Sequence, residues 1–210
     1  MIPLILKIKK ATHKEIARAQ DIITEELYKI FNTAVIHGGT AIWRCYQGNR
    51  FSEDIDAYIP KSKNQINLFF ENIEKRGFVI EKKKISENSV YSSMKFNRIY
   101  VRFEAIYKKV KSILKEYETA DGNFITVYTL SPEGLINEKI SAYMKRLKVR
   151  DLYDIFFLLR HVKDKKKINL QILIDNFKMP LDKEDLKVLI LDGIVPTPEK
   201  MIEYIRWQAK

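Results

Sequence analysis

Cysteine, histidine and long apolar runs are scarce in this sequence of 210 residues. The single cysteine, Cys45, cannot form an internal disulfide and is typical of a reducing compartment, so we expect a cytoplasmic protein. With three histidines and one cysteine, a His/Cys zinc site is not expected. No apolar run approaches the ~18 residues that a membrane-spanning helix needs, so we expect no membrane partner. Hydrophobic residues still make up 46% of the chain, which excludes a disordered protein.

Acidic residues are outnumbered by basic ones. The 38 Lys and Arg residues against 27 Asp and Glu residues give a net charge of +11, with a pI near 9.5. Such a balance favours polyanionic partners, nucleic acid above all, because phosphates are neutralised and counterions are released. It is also common in lysine-rich proteins that bind no nucleic acid, so the charge alone does not decide the partner.

The hydrophobic periodicity changes near Leu130. Before this residue, helical and strand patterns alternate, whereas Ser131-Pro132-Glu133 is typical of a helix start and begins a purely helical region. We therefore predict an α+β domain at residues 1–130, with a mixed sheet flanked by helices, and a helical domain at residues 131–210. The predicted helices are Thr12–Phe31 with a capping box at Thr12 and Glu15, Thr40–Tyr46, Asn64–Arg76, Glu133–Lys148, Asp151–Val162, Leu170–Phe177, Lys183–Leu191 and Pro198–Trp207. The predicted strands are Ala34–Ile36, Ser52–Ile59, Phe78–Lys83, Tyr91–Phe96, Tyr100–Tyr107 and Phe124–Leu130.

Two adjacent glycines, Gly38 and Gly39, lie between a short predicted strand and the predicted helix at Thr40. Because glycine has no side chain, this backbone can approach a bulky anion, and the N–H groups at the helix start can bind phosphate. A tight turn without a ligand is the alternative interpretation. We predict a nucleotide-binding loop that includes Gly38, Gly39 and Thr40.

Two aspartates, Asp54 and Asp56, are separated by one residue on a predicted strand. Period-2 geometry places both carboxylates on one face, roughly 6.6 Å apart along the strand. Such a pair can bind one divalent ion or two ions ~3.5–4 Å apart, as in phosphoryl and nucleotidyl transfer. Ser52 could donate its hydroxyl to a phosphate oxygen from the same loop. Asp-x-Asp alone also occurs in turns and caps, so the neighbouring motifs carry this hypothesis.

A third acidic ligand is expected from a neighbouring strand. Glu104 alternates with Phe103 in Tyr100–Tyr107 and is the candidate. An exposed glutamate paired with Arg102 or with a lysine is the alternative.

The first predicted helix after Leu130 brings basic residues to one side. Lys139, Tyr143 and Arg146 share one helix face, so two cations and a phenol could line a cleft. A lysine suits a triphosphate as a compact point charge, and an arginine can fork onto phosphate or carboxylate. A solvated helix face is the ordinary alternative for Lys139.

Four motifs in this order resemble the AbiEii/AbiGii family of nucleotidyltransferase-like toxins from type IV toxin–antitoxin systems, to which the MenT toxins are related. The resemblance covers about Val35 to Leu159. The motifs are Gly38-Gly39-Thr40-Ala41, Arg50-Phe51-Ser52-x-Asp54-x-Asp56, Glu138-Lys139-Ile140-x-Ala142 with Arg146, and Arg150-Asp151-x-Tyr153-Asp154.

The resemblance implies a DNA polymerase β-like nucleotidyltransferase fold followed by a helical domain. It implies that Asp54 and Asp56 are metal-binding catalytic acids and that Ser52 belongs to the nucleotide loop. Lys139 would contact the triphosphate, and Asp154 would be the acid of the last motif, needed for activity. Without the family, Asp154 could instead form an ion pair with Arg150. A cognate antitoxin is also implied as a partner.

The leading hypothesis is an enzyme, dependent on Mg²⁺ or Mn²⁺, that transfers a nucleoside monophosphate from an NTP to an acceptor and releases pyrophosphate. The family's relatives make RNA, especially the 3′ end of tRNA, the first acceptor to test. Transfer to a protein or a small molecule is one alternative, and a nucleotide- or RNA-binding module without transferase activity is another. The sequence indicates neither the base of the NTP nor the oligomeric state.

Overall fold

A seven-stranded mixed sheet organises the first half of the chain in the computed structural model, which describes residues 3–182 and 185–209. The strands are β1 (Val35–His37), β2 (Ile55–Ile59), β3 (Val79–Ile85), β4 (Ser89–Phe96), β5 (Ile99–Tyr107), β6 (Ile113–Glu118) and β7 (Phe124–Thr129). Their order across the sheet is β3-β4-β5-β2-β1-β7-β6. Strand β2 at the centre runs parallel to β5 and antiparallel to β1.

The helices of the described residues flank the sheet and then form a region of their own. They are α1 (Leu4–Lys7), α2 (Ala11–Ile30), α3 (Gly38–Cys45), α4 (Lys63–Lys75), α5 (Pro132–Arg146), α6 (Val149–Leu158), α7 (Leu170–Asp175), α8 (Asp185–Leu189) and α9 (Pro198–Gln208). Two compact units result, one with the described part of residues 1–47 and 51–129, the other with that of residues 48–50 and 130–210. The architecture is therefore α+β, with a mixed sheet flanked by helices and a separate helical unit.

One face of the sheet is covered by helices α2 and α4. On β5 the residues Val101, Phe103 and Ala105 are buried, and the ring of Phe103 lies 4.9 Å from that of Phe69 on α4. Ile55 on β2 pairs with Phe103 and is equally buried. Apolar residues at every second position thus form the core between sheet and helices.

The opposite face of β5 carries Arg102, Glu104 and Ile106, all exposed. Period-2 alternation therefore separates a core face from a polar face on the same strand, as the sequence predicts for Glu104 and Phe103. Asp56 lies on this open face, because its register partner on β5 is Glu104.

Helix α5 begins where the sequence predicts. The Ser131 hydroxyl accepts a hydrogen bond from the Gly134 amide, and Pro132 occupies the first turn of α5. The Glu133 carboxylate accepts hydrogen bonds from the amides of Lys163 and Asp164. These bonds fix the segment after α6 to the start of α5. None of the described helices has the length and apolar character needed to cross a membrane.

Several details differ from the sequence-based predictions, and one prediction lies partly outside the described residues. The capping box is wrong, because α2 begins at Ala11 and Lys10 caps it without a side-chain hydrogen bond, so Thr12 lies inside the first turn. Strand β2 begins at Ile55, so Asp54 precedes it. Strand β6 was not predicted, since charged residues at Lys115, Glu116 and Glu118 obscure its alternation. The start of the predicted helix Lys183–Leu191 lies outside the described residues, and the described part is α8.

Candidate active site

Asp56 and Gly38 are in direct contact at the centre of the sheet. Gly38 starts α3 directly after β1 and adopts a left-handed backbone with φ of +69°, which favours glycine. A Cβ atom at this position would overlap Oδ2 of Asp56. The absent side chain of Gly38 therefore leaves the space that the Asp56 carboxylate occupies.

Glu104 lies next to Asp56 on the neighbouring strand. The two residues are register partners in the parallel pair of β2 and β5, so their side chains leave the sheet on the same face. Adjacent strands are about 4.8 Å apart, so the backbone positions that carry the two carboxylates are direct neighbours. Glu104 is exposed and Asp56 is half-buried.

Asp54 lies at the entrance of β2 and is held by two neighbouring groups. Its carboxylate accepts two hydrogen bonds from Arg102, from Nε and Nη2, each 2.7 Å long. Its backbone carbonyl accepts a hydrogen bond from the Thr40 hydroxyl. The hydrogen bonds to Asp54 raise the pKa of Arg102, so the arginine stays charged. The Asp54 loop is thereby tied to both α3 and β5.

The loop before β2 is fixed both through its backbone and through a buried aromatic side chain. The Gln20 side chain donates to the Ser52 carbonyl over 2.8 Å. The Phe51 ring is buried and stacks on His13, with ring centres 4.1 Å apart. Ser52 itself is half-buried and precedes Asp54 by two residues. Gly39 and Thr40 are buried in the first turn of α3.

The sheet unit thus gathers Asp54, Asp56 and Glu104 within one neighbourhood. Among residues 3–182 and 185–209, no three His, Cys, Asp or Glu side chains are already arranged as a metal-binding group. The donor set nevertheless fits a hard divalent cation, which prefers carboxylate oxygens. The space left by Gly38 is occupied by the Asp56 carboxylate, so Gly38 bears on the position of one donor of this set.

The helical unit contains a second carboxylate cluster of a different kind. Asp154 on α6 is buried and accepts two hydrogen bonds from Arg50, 2.8 Å from Nε and 2.7 Å from Nη2. The Lys139 ammonium lies 2.7 Å from its Oδ2 atom. Burial alone would raise the pKa of Asp154, but the charges of Arg50 and Lys139 outweigh this effect and lower it. Asp154 is therefore ionised and doubly paired.

Asp151, one turn earlier on α6, completes this network. It accepts hydrogen bonds from Lys139 over 3.2 Å and from Arg146 over 2.7 and 2.8 Å. Its side chain is 0% exposed, whereas that of Arg146 is 44% exposed. Three cations thus surround two buried aspartates, and the cluster has one formal positive charge in excess.

The network limits what Lys139 can bind. An ammonium group has three N–H donors, and two of them are directed at Asp151 and Asp154. One donor at most is left for a phosphate oxygen. Tyr143 does not share this surface, because it is buried and its hydroxyl donates to the Lys178 carbonyl.

A model of the nucleotidyltransferase AbiEii toxin family, from type IV toxin–antitoxin systems, matches residues 25–192. The chain belongs to this AbiEii family. The match includes all four motifs and residues of both compact units. The protein is thus a nucleotidyltransferase of the toxin type.

Two solved structures share the fold of this AbiEii protein. MenT4, a nucleotidyltransferase toxin from Mycobacterium tuberculosis, is 17% identical with a TM-score of 0.67, over 98% of this chain and 86% of that one. JHP933 from Helicobacter pylori is 20% identical with a TM-score of 0.65, over 95% of this chain and 91% of that one. The predicted nucleotidyltransferase fold is confirmed. No match was found among curated proteins.

The sequence-predicted site residues of the AbiEii protein fall into two groups. The sheet unit holds Gly38, Gly39, Thr40, Ser52, Asp54, Asp56 and Glu104. The helical unit holds Lys139, Arg146 and Asp154. Within each group the structure brings residues together, namely Asp56 with Gly38 and Glu104, and Lys139 with Asp154. Their catalytic and binding roles stay predictions.

Three residues of this AbiEii protein have contacts that the sequence analysis did not assign. Arg50 and Asp151 belong to the recognised motifs but were given no role, and Arg102 was considered only as a partner of Glu104. Asp154 pairs with Arg50 rather than Arg150. For Arg102 the sequence offered one signal, its alternation with Glu104 on one strand, since both residues face away from Phe103.

Proposed function

We propose that this AbiEii-family nucleotidyltransferase transfers a nucleoside monophosphate from an NTP to the 3′ end of RNA, with tRNA as the first acceptor to test. In this step the acceptor hydroxyl oxygen bonds to the α-phosphorus of the NTP. The bond from that phosphorus to the oxygen bridging to the β-phosphate breaks, pyrophosphate leaves, and the hydroxyl proton passes to solvent.

The register pairing of Asp56 with Glu104 beside Asp54 is the observation that carries this proposal. These three carboxylates are the residues that would hold Mg²⁺ or Mn²⁺, since they offer oxygen ligands only. A divalent ion bound there supplies positive charge to the transferred phosphate and its leaving group. Gly38 keeps Asp56 in place by leaving room for its carboxylate.

The basic residues of the helical unit fit a role at phosphate. Lys139 and Arg146 belong to a cluster with an excess positive charge, and Arg146 is partly exposed. We infer that they neutralise triphosphate charge, while Asp151 and Asp154 hold Lys139 in position. In this proposal, residues 1–130 form the nucleotidyltransferase domain, with Gly38, Gly39, Thr40 and Ser52 binding the nucleotide. Residues 131–210 form the helical domain.

The net charge of +11 supports an RNA acceptor over a protein or a small molecule. Membership of a type IV toxin–antitoxin family supports a cognate antitoxin as a partner. A cytoplasmic location follows from the proposal, because NTPs and tRNA are found there.

The decisive experiment incubates the purified protein with each labelled NTP, a divalent metal and total RNA, alongside Asp56→Asn. We expect label in tRNA with the native protein only, and no label after EDTA until Mg²⁺ or Mn²⁺ is restored. Label in a protein band or a small molecule instead would overturn the RNA acceptor. Equal labelling by Asp56→Asn would overturn the assignment of the site.

Overexpression tests the toxin role of the same chemistry. The native protein should arrest growth, and Asp54→Ala should relieve the arrest at equal protein level. If Asp54→Ala arrests growth as strongly, toxicity comes from binding a partner rather than from transfer.

A further inference from the structure

The open face of the sheet continues outward from the carboxylates. Strand register aligns Asp56 on β2 with Glu104 on β5, Glu104 with Tyr91 on β4, and Tyr91 with Lys84 on β3. The four side chains therefore form one row across four strands and leave the sheet on the same side. This row leads from the candidate metal ligands to the edge strand β3.

Two further rows lie beside it. Arg102 pairs with Ser93, and Ser93 pairs with Lys82. Tyr100 pairs with Lys95 at the next position of the same face. We name five of these residues the Lys/Tyr face: Lys82, Lys84, Tyr91, Lys95 and Tyr100.

The Lys/Tyr face is on the side of the sheet opposite to helices α2 and α4. The intervening residues Val90, Met94 and Val101 are buried on the helix-covered side. In contrast, Lys82 and Lys84 are exposed, and Tyr100 is 56% exposed, which is high for an aromatic residue. Tyr91 and Lys95 are half-buried between them, so the face is accessible to a partner at the two lysines of β3 and at Tyr100.

The lysines of this face are not neutralised within the described part of the chain. None of the three lysines, Lys82, Lys84 and Lys95, forms a salt bridge with a carboxylate of the described residues. Arg102, on the same face, is paired with Asp54. Glu81 lies nearby, at the register shift between Ile80 and Lys82. Three unpaired ammonium groups interleaved with two phenol rings are the combination that binds single-stranded nucleic acid, where phosphates pair with cations and bases stack on rings.

We propose that the Lys/Tyr face binds the single-stranded end of the RNA acceptor as it leaves the site at Asp56. Lys84 lies three strands from Asp56, which is about 14 Å at ~4.8 Å per strand. The bases next to the reacting nucleotide stack on Tyr91 and Tyr100, and their phosphates pair with the lysines. This inference rests on the proposed function, because it takes RNA as the acceptor.

Binding of a short labelled single-stranded RNA without NTP tests this inference, with fluorescence anisotropy measured over a range of salt concentrations. The variants are Lys82→Gln with Lys84→Gln, and separately Tyr100→Ala. The matched control is Lys63→Gln with Lys75→Gln, since both exposed lysines lie on α4, the helix on the covered face. Transfer of label to RNA is measured in parallel, with the KM for RNA and for NTP.

Loss of two phosphate contacts should lower the slope of log K against log salt by about 1.4, at ~0.7 per contact. Tyr100→Ala should weaken binding about 5- to 150-fold, the effect of losing one base–ring stack. Both changes should raise the KM for RNA and leave the KM for NTP unchanged. The control on α4 should behave as the native protein.

The outcomes separate this inference from the proposed function. If the native protein binds and labels RNA but the face variants equal the α4 control, the Lys/Tyr face is not the RNA surface, and the proposed function stands. If the native protein neither binds nor labels RNA, both fall. If polyglutamate competes with RNA as effectively at equal charge, the face recognises acidic protein, which overturns the inference.

Discussion

The two compact units each contain a carboxylate cluster, and the clusters differ in their surroundings. In the sheet unit, Asp56 is half-buried and Glu104 is exposed, both on an open face. In the helical unit, Asp151 and Asp154 are at most 1% exposed at their side chains and have cations on each oxygen. The first cluster is open to solvent, whereas the second is buried and paired with cations of its own chain.

The difference has an energetic reason. An ion buried in a protein is tolerated only when paired, because losing its water is expensive, and removing one partner leaves a buried charge without compensation. An ion pair near the surface contributes much less, since water screens it. We therefore expect mutation of the sheet aspartates to affect mainly activity, and mutation of the helical-unit aspartates to affect mainly stability.

Loss of Asp56 should give the largest effect on activity and almost none on stability. We expect Asp56→Asn to reduce transfer by several orders of magnitude, because a metal ligand is lost rather than a core contact. Single-turnover labelling of RNA measures the rate, and thermal unfolding checks the fold. Glu53→Gln is the control, since Glu53 is exposed and lies three residues earlier, in the loop that leads into β2. A similar loss in both variants would contradict a specific role for Asp56.

Loss of Asp154 should give the largest effect on stability. Asp154→Asn leaves Arg50 and Lys139 short of a buried counterion, so we expect a loss of about 3–5 kcal/mol in the free energy of unfolding. For a chain of this size that corresponds to a fall of roughly 6–20 °C in Tm. Differential scanning calorimetry measures the change.

Asp54→Asn is the matched control for that experiment. Asp54 also accepts a two-pronged contact from an arginine, Arg102, but this arginine is 46% exposed at its side chain. We therefore expect a stability loss of about 1 kcal/mol or less. If Asp154→Asn melts at the temperature of the native protein yet loses activity, Asp154 acts on substrate directly, and its positioning role is wrong.

Gly38→Ala should perturb the sheet cluster through geometry alone. The new Cβ would displace the Asp56 carboxylate, and a displacement of ~1 Å at a catalytic group costs about 100-fold in rate. Gly77→Ala is the control, because Gly77 also has a positive φ, +91°, but its nearest neighbour would be 3.9 Å from the added Cβ. Both variants should lose roughly 1–2 kcal/mol of stability from the left-handed backbone. Equal activity in the two variants would contradict the claim that Gly38 is needed to position the Asp56 carboxylate.

Local patterns in the sequence predicted the parts of the site that lie on one element. Alternation over Tyr100–Tyr107 placed Glu104 opposite Phe103, and β5 (Ile99–Tyr107) confirms it. The glycine pair predicted that a helix follows and that its backbone binds phosphate; the helix is present, although α3 begins at Gly38 itself rather than at Thr40, and the phosphate contact stays a prediction. Period and turn chemistry are properties of neighbouring residues, so they can be recognised in a single sequence.

Contacts between distant segments could not be predicted in this way. Arg102 and Asp54 are 48 positions apart, and Arg50 and Asp154 are 104 apart. Which arginine reaches which aspartate depends on strand order and helix packing, and neither is encoded in a local period. The same limit explains Tyr143, since the partner of its hydroxyl is the Lys178 carbonyl, 35 positions away. Helical spacing correctly grouped Lys139 with Arg146. It did not predict that both side chains donate to Asp151.

Glu133 offers a smaller, pH-dependent test of the helical unit, because its buried charge is satisfied by amides instead of cations. Burial opposes ionisation, but hydrogen bonds from its own amide and those of Lys163 and Asp164 outweigh it and lower the pKa of Glu133 to about 2. A carboxyl with a depressed pKa in the folded state contributes stability above its unfolded pKa of 4.5, and this contribution is lost as the pH falls from there towards 2. We expect Glu133→Gln to be less stable at pH 7 by roughly 1–2 kcal/mol, and the difference to shrink over that acidic window. Urea unfolding of both proteins at several pH values measures it, and a difference that stays constant with pH would mean that the charge of Glu133 does not fix the segment after α6.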